Sequence, residues 1–262
     1  MDEIQTYLGA DGLMHCNVCK EPIEAFYPKG SLLEMRKHHR QCACERKAYA
    51  EEAQYYKEKE HWELIARNKK ICFEEKEMES FTFQNVDRDS GVIRIAEEYV
   101  INWQKMKQNH MGYLFWGPVG TGKSYLAACI ANALLEQEVT VKMTNFNTIL
   151  NDLFATEDKT EYVRSLNVYE LLIIDDLGVE RSSEYALENI FSVIDWRYRS
   201  GKPLIITTNI PLVQLKQETK IDKKRIYDRI LERCIPVKID GVSRREAMAN
   251  DNMQIMKSIL KI

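Results

Sequence analysis

The stretch GPVGTGKS, at residues 117–124, constrains the fold more than any other feature of the chain. It fits the pattern G-x-x-x-x-G-K-[ST] and lies between an apolar, strand-like segment and a helix-like segment that starts at Lys123. Glycines in such a loop let backbone N–H groups point at phosphate oxygens, and the helix N-terminus adds its positive dipole end. The pattern predicts an ATP site made of Gly117, Pro118, Val119, Gly120, Thr121, Gly122, Lys123, Ser124 and Tyr125.

A second strand-like segment ends in two carboxylates. In ELLIIDDLGVE, residues 170–180, four apolar residues precede Asp175 and Asp176, which indicates a buried strand whose end reaches a site. P-loop proteins hold Mg²⁺ with the loop hydroxyl and an aspartate at the end of another strand. We therefore predict that Ser124 and Asp175 bind Mg²⁺ and that Asp176 is the base that activates the attacking water. Glu180 is the competing candidate for the base.

Strand-like and helix-like segments alternate through the second half of the chain. The strand-like segments are GYLFW, VTVKMT, YELLIID, PLIITT and IPVKI. This alternation predicts an α/β fold, a P-loop NTPase whose parallel sheet is sandwiched by helices. Residues 48–78 are rich in charge and lack glycine and proline, which is typical of a solvated helix. We predict a cysteine-containing module at 1–47, a charged helical connector at 48–78 and an ATPase domain at 79–262.

The overall composition gives no signal for a membrane partner, and it requires any contact with nucleic acid to come from a local patch. Among 262 residues, Lys and Arg number 37 and Asp and Glu number 40, so the net charge of −3 gives no global attraction to nucleic acid. No apolar run approaches the roughly 20 residues that span a bilayer. The first residues also lack the basic start and apolar core of a signal peptide. We expect a cytoplasmic protein without membrane contact.

Four of the seven cysteines lie close together near the N-terminus. They form a C-x2-C pair followed by a C-x-C pair, a pattern that suits a structural Zn²⁺ site in a module too small for its own core. The predicted ligands are Cys16, Cys19, Cys42 and Cys44. The C-x-C pair is tighter than usual, so His15, His38 or His39 is an alternative to one of its cysteines, and free thiols are the alternative to zinc.

Several segments beyond the P-loop point to one family. They are FTFQNV, GYLFWGPVGTGKSYLAACIANALLEQ, LLIIDDLGVE, VIDWRYRSGKPLIITTNIP, RIYDRILERC and GVSRR, in this order from Phe81 onward. Through them the chain resembles the AAA+ ATPases of the DnaC and IstB group, and within it the bacterial and phage helicase loaders. An Asp pair at the strand end, in place of Asp-Glu, is similar to the pattern of this group.

The resemblance also implies roles for three residues outside the P-loop. Asn209 would be sensor 1, and Arg245 the sensor-2-like arginine. Arg229 would be an arginine finger that acts on ATP bound to the neighbouring subunit, so that the active form is an oligomer joined through the ATPase domains. Helical spacing places Arg225, Arg229 and Arg233 on one face and by itself does not choose among them.

The resemblance further implies where DNA and a protein partner bind. In loaders and initiators of this group, an added helix after the second strand touches single-stranded DNA, here within KMTNFNTILNDLFATEDKTEYVR. The candidate contacts are Lys142 and Lys159 for phosphates and Phe146 for a base, with a core position as the alternative for Phe146. In helicase loaders the N-terminal domain grips the replicative helicase, which implies the same for the cysteine module.

Taken together, these features predict an ATP-hydrolysing loader of a replicative DNA helicase that acts on single-stranded DNA. The main alternative is an IstB-type transposition helper ATPase, which shares the motor. A P-loop kinase for a small molecule would need an acceptor pocket and a mobile arginine lid. An adapter that senses ATP without turnover is the remaining alternative.

Overall fold

The computed structural model describes residues 5–34, 36–85, 91–178, 183–241 and 243–260. The chain forms two compact units, Met1–Leu64 and Ile65–Ile262. The predicted boundaries at 47 and 78 follow changes in sequence character and remain predictions. Among the described residues, no helix combines the length and the apolar character needed to cross a bilayer.

The first unit consists of two short hairpins and the start of a helix. β1 (Thr6–Leu8) pairs antiparallel with β2 (Met14–Cys16), β3 (Glu24–Phe26) pairs antiparallel with β4 (Lys37–His39), and α1 (Ala43–Cys72) follows. Glu45 stabilises the start of α1, because its Oε2 accepts a hydrogen bond from the Cys42 N–H at 3.0 Å. Among the described residues of this unit, only Cys16 and Cys42 are buried. An apolar core therefore contributes little to its stability.

The helix α1 corresponds to the predicted helical connector, but its first and last residues differ from the predicted bounds. It begins at Ala43, earlier than expected, and ends at Cys72 instead of near 78. Cys72 and Phe73 are buried in the core of the second unit, where the chain turns into two short 3₁₀ segments, Lys76–Ser80 and Phe83–Asn85. The helix thus stops where apolar side chains enter the core.

The second unit contains the alternating helices and strands. They are α2 (Gly91–Ile101), α3 (Trp103–Gln108), β5 (Gly112–Trp116), α4 (Lys123–Leu135), β6 (Val141–Asn145), α5 (Phe146–Ala155), α6 (Lys159–Leu166), β7 (Leu171–Leu177), α7 (Glu184–Ser200), β8 (Leu204–Thr208), α8 (Leu212–Lys216), α9 (Ile221–Arg233), β9 (Cys234–Lys238) and α10 (Arg244–Leu260). The five strands form one sheet in the order β6-β7-β8-β5-β9, and all neighbouring pairs are parallel.

Helices cover both faces of this sheet. In β7, Leu171 and Ile173 pack in one apolar cluster with α2 and α4, whereas Leu172 and Ile174 pack in a second cluster with α5, α7 and α9. Four consecutive apolar residues are fully buried because each face of the strand has its own layer of helices. The predicted fold class, an α/β fold with a parallel sheet between helices, is confirmed.

Candidate functional site

The P-loop connects the end of β5 to the start of α4. Gly117 has a φ of +146°, and a Cβ at this position would lie 2.3 Å from the carbonyl oxygen of Ile239, so the loop accepts only glycine there. Gly122 caps α4 in the left-handed conformation, with a φ of +94°. These backbone conformations give the tight turn that a phosphate-binding loop needs before its helix.

Lys123 lies within the loop and is only 4% exposed. Its ammonium group donates hydrogen bonds to the carbonyl oxygens of Gly117 at 3.0 Å and Pro118 at 2.7 Å. A charged group with so little exposure needs such partners, because burying an unpaired charge is costly. The side chain is therefore directed into the loop that would hold the phosphates.

Asp175, near the end of β7, lies beside Ser124 of the P-loop. Its carboxylate accepts a hydrogen bond from the Thr207 hydroxyl group, and the Ser124 hydroxyl of the P-loop is near enough to lower its pKa. Burial raises the pKa of Asp175, and the two hydroxyl groups and Lys123 offset part of that rise. The structure thus brings together the two residues that were predicted to bind Mg²⁺.

The donor set at this point fits Mg²⁺. A hydroxyl and a carboxylate are hard oxygen ligands, and Mg²⁺ typically combines one or two carboxylates with water and substrate phosphates. A cation beside Asp175 would also hold the buried carboxylate in its charged form. Ser124 and Asp175 are the residues that would hold the ion.

Asp176 occupies an irregular point of β7. The pairing of β7 with β8 shifts between Ile174 and Leu177, and Asp176 has a φ of +54°, a left-handed conformation that is rare for a non-glycine residue. The side chain of Asn209, just after β8, donates to Asp176 Oδ1 at 3.5 Å. The predicted base and the predicted sensor 1 therefore lie side by side at the same edge of the sheet.

Thr207 belongs to this site and was not predicted. It is fully buried in β8, and its Oγ1 contacts both aspartates of β7. The sequence signals it only as the first of two threonines that end an apolar strand, in the segment PLIITT. A threonine in a strand is ordinarily a packing residue, because its branched side chain suits a sheet.

Arg229 lies on α9 and contacts α7 of its own chain. Its Nη2 is 2.6 Å from Asp195 Oδ1, and its guanidinium carbon lies 4.4 Å from the centre of the Phe191 ring. Arg225 lies at the same distance, 4.4 Å, from that ring. The role of Arg229 as a finger in trans remains a prediction.

Two predicted residues fall outside the described part of the chain. Glu180, the competing base, lies in the gap at 179–182. Arg245 lies in the first turn of α10, but its side chain is not among those described.

The segment predicted to contact DNA contains most of β6, then α5 and most of α6, and its structure corrects the prediction for Phe146. Phe146 is 1% exposed and packs in an apolar cluster with Ile149 and Leu153, so its ring is not available to stack on a base. Phe154, at the other end of α5, is 83% exposed. If a ring of α5 stacks on a base, it is that of Phe154.

The two lysines predicted to contact DNA occupy different settings. Lys142 donates to the carbonyl oxygen of Ile71 at 3.1 Å. Lys159 is exposed, and its Nζ lies 4.7 Å from the centre of the Tyr185 ring. Their contacts with phosphate remain predictions.

The four N-terminal cysteines come together in the first unit. The sulfur atoms of Cys16, Cys19, Cys42 and Cys44 all lie within 4.8 Å of one another. Backbone hydrogen bonding at Glu21 lowers the pKa of the Cys19 thiol to about 6, whereas the contact with Cys19 raises the pKa of the Cys44 thiol to about 12, so the thiols interact directly. Zn–S bonds of about 2.3 Å give a tetrahedron with sulfur atoms about 3.8 Å apart, so the cluster fits a Zn²⁺ site.

The histidine alternatives have other partners. The ring of His15 contacts the carbonyl oxygen of Lys20 and the carboxylate of Asp11, each at 3.0 Å. His38 Nδ1 lies 2.9 Å from the carbonyl oxygen of His39, and His39 Nε2 lies 3.4 Å from Glu45. Among the described residues of the first unit, the group that could hold a metal consists of these four cysteines and contains no histidine.

A five-stranded parallel sheet, a P-loop and an acidic strand end beside that loop define a P-loop nucleotide-binding domain of the AAA+ class. The family of IstB-like ATP binding proteins matches residues 48–251, and the chain belongs to this family. The resemblance drawn from the motifs is confirmed.

Similar proteins include two helicase loaders. The replicative helicase loader DnaC of Escherichia coli (strain K12) is 29% identical over 140 residues, which are 52% of this chain and 55% of that protein. The replicative helicase loader DnaI of Bacillus subtilis (strain 168) is 24% identical over 180 residues, 63% of this chain and 58% of that protein. A crystal structure of DnaI matches with a TM-score of 0.58 and 25% identity, over 68% of this chain and 99% of that one. The chain thus spans little more than half the length of these curated relatives.

Proposed function

We propose that this protein is a cytoplasmic ATPase that loads a replicative DNA helicase onto single-stranded DNA. The observation that carries the ATPase part is the position of Asp175 of β7 beside the P-loop, where Ser124 and Lys123 both act on its carboxylate. The loader part is supported by the similarity to DnaC and DnaI, which are both named replicative helicase loaders.

The residues of the P-loop and of the neighbouring strand ends have different roles in ATP hydrolysis. Backbone N–H groups of the P-loop and the ammonium group of Lys123 bind the phosphates, and Ser124 and Asp175 hold Mg²⁺. A Mg²⁺ ion held by Ser124 and Asp175 would supply positive charge beside the phosphates. Asp176 accepts a proton from the attacking water, and Asn209 orients that water beside it. Their side chains lie within 3.5 Å of each other, close enough to share one water molecule.

The arginine that completes this site would come from a second copy of the chain. In P-loop enzymes an arginine supplied in trans stabilises the charge of the transition state. Arg229 is the proposed finger, which makes an oligomer joined through the ATPase domains the active form. In a single copy its guanidinium group is paired with Asp195, so it is held in place before assembly.

The first unit would bind the helicase. Its cysteine cluster lies before the residues that match the family, 48–251, so it is an addition to the common ATPase domain. Zn²⁺ on the four thiolates would supply the folding free energy that its few buried residues do not. Single-stranded DNA would contact the segment of β6, α5 and α6, with Lys142 of β6 and Lys159 of α6 on phosphates.

Helicase transfer to DNA tests this function. The full chain is mixed with the replicative helicase of its own organism, circular single-stranded DNA, Mg²⁺ and ATP. We expect helicase on the DNA only when the protein is present, together with phosphate release. Equal amounts of helicase on the DNA without the protein would contradict the loader function. Transfer without any phosphate release would identify an ATP-sensing adapter.

The family itself favours one second candidate, a transposition helper ATPase of the IstB type. This function predicts ATP hydrolysis and binding to a transposase, without affinity for the helicase. Purification of the full chain with each candidate partner separates the two functions, because the motor is common to both and the partner is not.

A further inference from the structure

Thr207 links the two aspartates of the candidate ATP site. Its Oγ1 donates a hydrogen bond to Asp175 Oδ1 at 2.5 Å and accepts one from the backbone N–H of Asp176 at 2.9 Å. The residue is fully buried in the central strand β8. One hydroxyl group therefore contacts the side chain of the proposed metal ligand and the backbone of the proposed base.

The irregular pairing of β7 explains why this hydroxyl is needed. The register between β7 and β8 shifts between Ile174 and Leu177, so the N–H of Asp176 points at the Thr207 side chain. A buried N–H without a partner is destabilising, and a left-handed φ at Asp176 persists only when neighbouring groups hold it. Thr207 supplies the partner of that N–H and also donates to the Asp175 carboxylate.

The next residue, Thr208, hydrogen-bonds to the β7 backbone at the other end of the register shift. Thr208 is also buried, and its Oγ1 donates to the carbonyl oxygen of Leu177 at 2.7 Å. Its hydroxyl group therefore holds the backbone at Leu177, after the two aspartates. Among the described residues it has no hydrogen bond to either carboxylate. The two threonines have the same chemistry, and only Thr207 contacts Asp175 and Asp176.

We propose that Thr207 is a positioning residue that aims Asp175 at Mg²⁺ and Asp176 at the attacking water. This inference rests on the proposed ATPase function. Valine has nearly the same shape as threonine but no hydroxyl group, so Thr207→Val would leave the Asp176 N–H unpaired and Asp175 with one hydrogen-bond donor fewer. Serine keeps the hydroxyl group and should restore both contacts.

Nucleotide binding with and without the metal tests this role. A fluorescent ATP analogue is titrated into the full-length protein in Mg²⁺ and in EDTA, and kcat is measured separately. For Thr207→Val we expect unchanged affinity in EDTA, a 10- to 100-fold smaller gain in affinity on adding Mg²⁺, and a similar loss of kcat, about the effect of removing a residue that orients a metal ligand. Thr207→Ser should recover most of the gain, and Thr208→Val should retain it.

The outcomes separate this inference from the function on which it rests. A folded Thr207→Val protein with the full Mg²⁺-dependent gain would overturn the positioning role alone. If valine prevents folding, Thr207→Cys, whose thiol is a weaker hydrogen-bonding group, tests the same loss with the same expected result. A wild-type protein with neither a Mg²⁺-dependent gain nor hydrolysis would overturn the proposed ATPase and this inference with it.

Discussion

Arg229 of α9 pairs with Asp195 of α7, with 2.6 Å between Nη2 and Oδ1. The other oxygen of the same carboxylate lies 2.8 Å from Arg199 Nε. Asp195 is only 8% exposed, so the two arginines compensate a charge that has little contact with water. Two arginines thus share one carboxylate, and only one of them is the proposed finger.

This shared carboxylate gives the first prediction a matched control. Arg229→Ala should retain ATP affinity and lose turnover by about 10³-fold or more, because the finger stabilises only the transition state. Arg199→Ala removes the other partner of Asp195 and should leave turnover within about 3-fold of wild type. Equal losses in both variants would mean that Arg229 acts by holding Asp195 in place. Steady-state phosphate release and nucleotide titration measure the two quantities.

Mixing two inactive variants tests whether Arg229 acts in trans. Arg229→Ala keeps its own base, and Asp176→Asn keeps its own finger. A mixed oligomer contains interfaces where an intact Asp176 faces an intact Arg229, so some activity should return. Absence of recovery at every mixing ratio would place Arg229 in cis or outside the reaction.

The second prediction separates nucleotide binding from hydrolysis. Lys123→Ala should abolish nucleotide binding, because the ammonium group is buried inside the P-loop. Asp176→Asn should leave binding intact and slow hydrolysis by about 10²-fold or more, since an amide cannot accept the proton. Unchanged turnover in Asp176→Asn would transfer the role of base to Glu180.

Local patterns predicted the five strands of the parallel sheet and the two motifs of the candidate ATP site, whereas α2, α3 and β1–β4 were not predicted. The P-loop and the Asp pair are each contiguous in sequence, and both end strands whose apolar runs are easy to recognise. The order β6-β7-β8-β5-β9 depends on which strands pair, and that information is not local. Thr207 was missed for the same reason, because its role exists only where β8 lies beside the irregular part of β7.

For Phe146, the family resemblance and the local helical spacing lead to different predictions. Phe146, Ile149 and Leu153 follow the i, i+3, i+7 spacing of a buried helix face, and all three are buried. The DNA-contact prediction came from the family resemblance and selected an aromatic residue on that face. Phe154 follows Leu153 directly and points away from it, which is why it is exposed.

The third prediction compares the substitution of Phe154 with that of Phe146. Phe154→Ala should weaken the binding of single-stranded DNA by about 1–3 kcal/mol without changing stability, as expected for a ring that stacks on a base. Phe146→Ala should lower the free energy of unfolding by about 3–5 kcal/mol, because it leaves a cavity in the core. Denaturant unfolding and DNA titration distinguish the two effects. Unchanged DNA affinity in Phe154→Ala would remove this helix end from the DNA contact.

The last prediction concerns the metal in the first unit. Metal analysis of the full-length protein should find one Zn²⁺ per chain. Cys16→Ser should lose it, because the thiolate is one of four ligands. Cys72→Ala is the control, since this thiol is buried outside the cluster, and it should keep its zinc. His15→Ala should also keep it. Zinc loss in His15→Ala but not in Cys44→Ser would give the fourth ligand position to the histidine.

The same variants connect the metal to the helicase. Because the first unit has few buried side chains, loss of Zn²⁺ should unfold it and abolish co-purification with the replicative helicase. ATP affinity should remain, since every P-loop residue lies in the second unit. Chelation of the wild-type protein should have the same two effects, and added Zn²⁺ should reverse them. A metal-free Cys16→Ser protein that binds the helicase as tightly as wild type would show that docking does not depend on the cysteine cluster.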